Sequence, residues 1–290
     1  MSSVIGIDLG GTKIHGARFD AETFEVQAEE RVPTHAEQKF EHVQRDMLGL
    51  ARRLKTEDTV AVGMGVPGLV GRGGVIATLP NIPGAEGVAL ASSFEKELRL
   101  PVILENDANC FALAEAAHGS GKGHDIVIGI TMGTGVGGGI VIHGELFRGH
   151  HGFAGEIGHM LLRPGEPPFR AHDQRGDVEQ FLSGTAMGKR CAEAKRPKEY
   201  LEGEACAFLH PQLFREIAWM SVSLTHLLDP SIMIFGGSAG NPLKPHLSEI
   251  QKEMERWILP GTPLPKLAVA TFRRAATRGA AILALRKVSK

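Results

Sequence analysis

One short pattern occurs twice in this chain, and it constrains the fold more than any other feature. Ile5-Gly6-Ile7-Asp8-Leu9-Gly10-Gly11 matches Ile128-Gly129-Ile130-Thr131-Met132-Gly133-Thr134 at four of seven positions, and Leu9 faces Met132 at a fifth. Each copy is an apolar run broken by glycines and then resumed, by Ile14-His15-Gly16-Ala17-Arg18-Phe19 or by Val136-Gly137-Gly138-Gly139-Ile140-Val141-Ile142, and so reads as a β-hairpin. Glycines at the tip let backbone amides come close to an anion. Asp8 closes the first strand, in reach of a metal ion carried by that anion, while Thr12 and Lys13 add a hydroxyl and a positive charge. A lone D-x-G-G-T hairpin can simply turn; the repeat decides against that. Two such hairpins half a chain apart predict a duplicated architecture whose loops face each other across a cleft and clamp a triphosphate. No G-x-x-x-x-G-K-[ST] is present, so this is the shape of an ATP site without a P-loop.

The 290 residues are enough for two domains, each with its own core. Apolar content of 42% and a net charge of −1 describe a soluble protein with no footprint for nucleic acid or an anionic membrane. No run of eighteen apolar residues spans a bilayer. No basic, apolar leader precedes the first strand, so a cytoplasmic location is expected. Cys110, Cys191 and Cys206 form no C-x-x-C pair and no expected disulfide framework, which suits a reducing compartment.

Apolar spacing predicts helices at 40–54, 89–98, 110–117, 183–195, 211–228, 244–256 and 277–286. Further strands are expected at 24–31, 60–66, 102–104, 232–237 and 267–272. Three hairpin strands followed by strands alternating with helices predict an α/β fold with a mixed sheet. The glycine- and proline-rich segment 144–178 is long enough for function to be expected of it.

Asn106-Asp107 follows the strand Val102-Ile103-Leu104, where α/β sheets present ligand-binding groups. A carboxylate there can take the proton of a sugar hydroxyl attacking a phosphate, and positioning matters more than base strength. The structural alternative is that Asp107 caps a helix beginning near Cys110. Gly155-Glu156-Ile157-Gly158-His159 adds a carboxylate and an imidazole, and Glu179 follows; such groups recognise polyols, although singly they are usually solvated.

Together Asp8-Leu9-Gly10-Gly11-Thr12-Lys13, Glu105-Asn106-Asp107-Ala108-Asn109, Gly133-Thr134-Gly135-Val136-Gly137-Gly138-Gly139 and Gly155-Glu156-Ile157-Gly158-His159 resemble the successive motifs of the ROK family, in order and across essentially the whole chain. That family groups bacterial sugar kinases with sugar-responsive repressors. The resemblance implies a two-domain actin/Hsp70/hexokinase-like (ribonuclease H-like) α/β fold with an interdomain active cleft. The domains expected are 1–109 plus 277–290, and 110–276. It implies ATP and Mg²⁺, with Asp107 as the base that activates a sugar 6-hydroxyl and Asn81, Asn106, Glu156, His159 and Glu179 as contacts to other hydroxyls. Asp8, Gly10, Gly11, Thr12 and Lys13, with Gly133, Thr134 and Gly135, would hold the phosphates. Gly236 and Gly237 would lie beside the adenosine, and the closing helix would pack on the first domain. N-acetylglucosamine is the expected acceptor, ahead of glucose and fructose, and a homodimer is implied.

Two departures stand out. Members of the family commonly bind a structural zinc through three cysteines and the histidine of G-H; the cysteine positions here hold Arg170, His172 and Asp177. Without thiolates no structural zinc is expected, a residual site at His159, His172 and Asp177 being the alternative, and an Arg170–Asp177 ion pair is expected to tie the loop instead. Where many members have a His-Gly-Asp stretch before the last helix, this chain has Phe272-Arg273-Arg274-Ala275-Ala276-Thr277-Arg278; Arg273, Arg274 and Arg278 are expected to be solvated, contact with nucleotide or substrate being the alternative. A repressor would need a helix-turn-helix ahead of the seven residues before Asp8, and its absence with a non-basic charge argues against one. A catalytically dead sensor is the other alternative, opposed by Asp107 and both glycine loops.

Overall fold

The computed structural model describes residues 2–289 apart from Arg72, Asn81, Ala171 and His172. It falls into two compact units, Met1–Ala114 with Arg148–Ala154 and Phe272–Lys290, and Glu115–Phe147 with Gly155–Thr271. The first unit holds β1 (Ser3–Leu9), β2 (Lys13–Asp20), β3 (Val26–Pro33), α1 (Phe40–Leu54), β4 (Thr59–Val66), β5 (Leu69–Gly71), β6 (Val75–Thr78), α2 (Leu90–Leu98), β7 (Val102–Asn106) and most of α3 (Asp107–His118). The second holds β8 (Ile126–Met132), β9 (Val136–Ile142), β10 (Glu145–Leu146), α4 (Val178–Leu182), α5 (Gly184–Arg190), α6 (His210–Leu228), β11 (Ile232–Gly236), α7 (Gly237–Gly240), α8 (Leu247–Met254) and β12 (Lys266–Val269). The last helix, α9 (Ala275–Val288), belongs to the first unit.

The repeat in sequence is a repeat in topology. Each unit has a mixed five-stranded sheet, ordered β3-β2-β1-β4-β7 in one and β10-β9-β8-β11-β12 in the other. In each the hairpin pairs antiparallel, its first strand pairs in parallel with the fourth, and the fifth runs parallel beside that.

In the first unit α1 buries Phe40, Val43, Met47, Leu50, Ala51 and Leu54, a single stripe at helical spacing, while Glu41 and Arg52–Arg53 suit the two ends of its dipole. That stripe shares a core with Ile5, Ile7, Val62 and Met64 of the sheet. Against β1 and β4 lies α9, and the approach is so close that a Cβ at Gly6 would meet the Thr277 carbonyl and one at Gly63 the Ala280 carbonyl. Glycine at both places is what lets helix and sheet touch. The edge of β7 is blunted by side chains: Glu95 accepts from the Val102 amide at 3.1 Å, and Lys287 donates to the Val102 carbonyl at 3.1 Å.

The second core gathers Phe181, Leu182, Ile217, Met220, Phe235 and Ile250 from α4, α6, β11 and α8. Within it Arg190 at the end of α5 meets Glu216 of α6 at 2.6 and 3.2 Å and donates to the Phe181 carbonyl at 3.0 Å, both side chains being buried. Gln212 gives Glu216 a further hydrogen bond at 3.0 Å.

Several expectations need correcting. Cys191 and Cys206 are joined in a disulfide that spacing did not suggest, leaving Cys110 as a buried free thiol. The helix expected from Cys110 begins at Asp107, where Asn106 caps it; its polar first turn carries no apolar period that would reveal the start. The short β5–β6 hairpin occupies part of what reads as loop, and α5 ends at Arg190 where Cys191 turns extended. Pro242 and Pro245 confine 241–246 to a 3-10 turn, so α8 begins only at Leu247.

Candidate active site

In the first unit the C-terminal ends of β1, β4 and β7 lie side by side, with Asp8 paired to Gly65 and Val66 to Asn106. Asp107 sits over the same end, its Cα 3.5 Å from where a Gly65 side chain would begin. Asn106, and not Asp107, caps α3: its Oδ1 accepts from the Asn109 amide at 3.0 Å, and its Nδ2 donates to the Gly68 carbonyl at 3.0 Å. The cap of the helix is thus supplied by Asn106, while one oxygen of the Asp107 carboxylate accepts from the Ala108 amide of the first turn at 2.9 Å. Glu105 fixes this corner. Its buried carboxylate accepts from Arg148 at 2.6 Å and from Asn109 and the Asn106 amide at 3.0 Å each.

The β1–β2 turn is exposed at Gly11, Thr12 and Lys13. It is closed by Gly10 donating to Lys13 at 3.0 Å and braced by the Thr34 hydroxyl on the Gly10 carbonyl at 2.6 Å. Burial pushes the Asp8 carboxyl up to about 6, and the Arg274 guanidinium opposes that shift. Across the hairpin from Asp8 is His15, buried, with Nδ1 2.8 Å from the Thr277 hydroxyl and Nε2 3.3 Å from Glu29; burial pushes its pKa down. Arg278 is not simply solvated: its guanidinium stacks on Phe272 and Phe19 and donates to the Phe24 carbonyl at 2.9 Å.

In the second unit the β8–β9 turn is held from beneath. Gly184 and Thr185, at the start of α5, donate to the carbonyls of Gly133 at 2.7 Å and Thr134 at 2.8 Å. Glu179 of α4 accepts from the Val136 amide at 2.8 Å. Gly236, paired with Thr131, ends the neighbouring strand; Gly237 follows with φ +83°, where a Cβ would run into the Met132 backbone. The two glycine stretches thus share one end of the sheet.

Glu156 precedes and His159 ends the 3-10 turn Ile157–His159, which packs on β9. Burial raises the Glu156 carboxyl; His159 lowers it and Glu179 raises it, so the three groups are electrostatic neighbours. Asp177 does not pair with Arg170; its carboxylate lies 3.2 Å from His159 Nδ1 and accepts from the Gln180 amide at 3.1 Å. Among the described residues no three His, Cys, Asp or Glu side chains gather as a metal site. His172, and Asn81 among the expected sugar contacts, lie outside the described residues.

Sequence reasoning missed Arg148, which is 43 positions from Glu105, and the bond between His159 and Asp177, 18 apart. Neither separation leaves a local pattern to read. Thr34, Gly184 and Thr185 were missed for the same reason.

The chain matches the ROK family over residues 4–287. The N-acetyl-D-glucosamine kinase of Photobacterium profundum is 32% identical over 306 residues, covering 97% of this chain and 99% of that relative. A protein of the same name from Vibrio atlanticus is 32% identical over 302 residues, covering 96% and 98%. Among solved structures, a ROK hexokinase from Thermus thermophilus aligns with a TM-score of 0.83 at 32% identity over 99% of each chain. A ROK family glucokinase from Streptomyces griseus, in complex with glucose and AMPPNP, aligns with a TM-score of 0.79 at 31% identity, covering 98% of this chain and 100% of that one.

Proposed function

The chain belongs to the ROK family, and on that footing we propose that it is an ATP-dependent hexose kinase acting on the 6-hydroxyl of N-acetylglucosamine. The observation that carries the reading is Asp107 at the shared end of β1, β4 and β7, over Gly65, with which Asp8 pairs, while Asn106 caps α3. In this reading Asp107 accepts the proton of the sugar 6-hydroxyl as that oxygen attacks the terminal phosphorus and ADP departs. The glycine turns at Gly10–Thr12 and Gly133–Gly135, with Lys13, bind phosphate oxygens, and Gly236 and Gly237 receive the adenosine. Glu156, His159, Glu179, Asn106 and Asn81 bind the other sugar hydroxyls.

Asp8 fits the Mg²⁺ that accompanies ATP. Its carboxylate accepts no hydrogen bond among the described residues, and burial makes its charge costly until a cation is near. When bound, the ion neutralises charge on the phosphates. Use of ATP supports a cytoplasmic location, and no helix among the described residues is long and apolar enough to cross a membrane. The working unit is a homodimer, to be checked by a solution mass of twice 31.1 kDa.

Glucose is the second reading, since the aligned Streptomyces griseus structure is a glucokinase with glucose bound. Coupled-assay turnover with Mg·ATP against N-acetylglucosamine, glucose, mannose, fructose and N-acetylmannosamine separates the two. Asp107→Ala is expected to lower kcat by about 10³-fold or more while ATP still binds by calorimetry. A loss of less than about tenfold removes Asp107 from the role of base.

A further inference from the structure

Asp177 has no part in the reaction as derived above, yet its carboxylate is engaged in two directions. It is 4% exposed. Oδ1 accepts from the Gln180 amide at 3.1 Å as the N-cap of α4, and Oδ2 lies 3.2 Å from His159 Nδ1. The backbone on both sides is held as well. Val178 donates to the Met160 carbonyl at 2.9 Å, Leu162 and Arg163 donate to the Gly176 carbonyl at 2.9 Å each, and Leu161 bridges Asp177. The carboxylate therefore cannot follow a moving imidazole, and the imidazole must follow the carboxylate.

An ionised carboxylate only accepts hydrogen bonds, so a neutral imidazole facing one carries its proton on that nitrogen. We propose that Asp177 is a positioning residue of the hexose site: it holds His159 as the Nδ1–H tautomer and leaves Nε2 as a bare, correctly aimed acceptor for a sugar hydroxyl. The His159 side chain is 53% exposed, so this second nitrogen is open to a ligand. With Glu156 and Glu179 as its neighbours the cluster is made of acceptors, which fits a ligand that arrives with hydroxyl donors. The inference rests on the hexose-kinase reading for its ligand, but not for its tautomer.

The test begins with long-range ¹H–¹⁵N spectra of the full-length, histidine-labelled protein at about pH 8, where an ordinary imidazole is neutral. The His159 signal is identified by its disappearance in His159→Gln. A pattern protonated at Nδ1 is expected, and one protonated at Nε2 or at both nitrogens overturns the proposal. Asp177→Asn retains a good helix cap but can present an N–H to Nδ1. It is expected to move the His159 signal to the Nε2–H pattern and to raise the hexose KM about tenfold, with the KM for ATP changed less than about twofold. In the His159→Gln background Asp177→Asn is expected to add nothing. An equal rise in hexose KM in both backgrounds overturns the proposal, because Asp177 would then act without His159. If no hexose is phosphorylated, the kinase reading falls while the spectra still decide the tautomer.

Discussion

Asp8 and Glu105 are two carboxylates in one corner of a sheet with opposite arrangements. Glu105 is buried but fully answered, by Arg148, Asn109 and the Asn106 amide, and so serves to hold Asn106 and Asp107 in place. Asp8 is answered by no hydrogen bond among the described residues, and its carboxyl is pushed up to about 6 from 3.8. The folded protein therefore binds more protons than the unfolded chain between those two values, and Asp8 contributes stability that fades as pH rises through about 6. Asn in its place has no such dependence. The melting temperature of Asp8→Asn is expected to gain on that of the parent from pH 4.5 to about 6 and then to run level, with Mg·ATP present giving the variant little of the stabilisation it gives the parent. A difference flat across pH would mean that Asp8 titrates normally. Asp8, Asp107 and the glycine turns were legible because each stands in a contiguous motif. Arg148 and the Asp177–His159 bond were not, because chain folding alone brings them to their partners.

Elements were legible where a period was long. The stripe of α1 defines its residues end to end, and the hairpin β8–β9 falls where alternation places it. Elements failed where other forces set the boundary: the polar first turn of α3, the prolines before α8, the three- and four-residue strands β5 and β6. Between α5 and α6 the buried Arg190–Glu216 pair is answered on every side, so removing one partner strands the other charge. Glu216→Ala is expected to destabilise the protein by about 3–5 kcal/mol in chemical denaturation. A cost below about 1 kcal/mol, as at an exposed pair, would show that water reaches Arg190. Just beyond α5 the Cys191–Cys206 disulfide closes a short loop. Thiol titration of the unreduced protein in denaturant is expected to find one thiol per chain, that of Cys110, and three after reduction. Reduction is expected to cost up to about 3 kcal/mol.

At the scale of the whole molecule, the repeated hairpin announced two sheets of one plan, and the fold has them. What the sequence did not signal is the middle one of the three instalments in which the chain builds its first unit, Arg148–Ala154. The glycines at positions 6 and 63 anticipate a helix more than two hundred residues later, against whose carbonyls they lie. Deleting 272–290 is expected to expose β1 and β4 to rapid hydrogen–deuterium exchange while β8 and β11 stay protected. Equal loss in both sheets would mean that the units fold only together. During synthesis the order of events is then inverted. The first sheet must wait, one apolar face open, until α9 has been translated, whereas β8, β11 and β12 are all present before that helix is made. A message broken off late thus yields a chain whose oldest part is its least finished, and chaperones and proteases meet it at the N-terminal sheet.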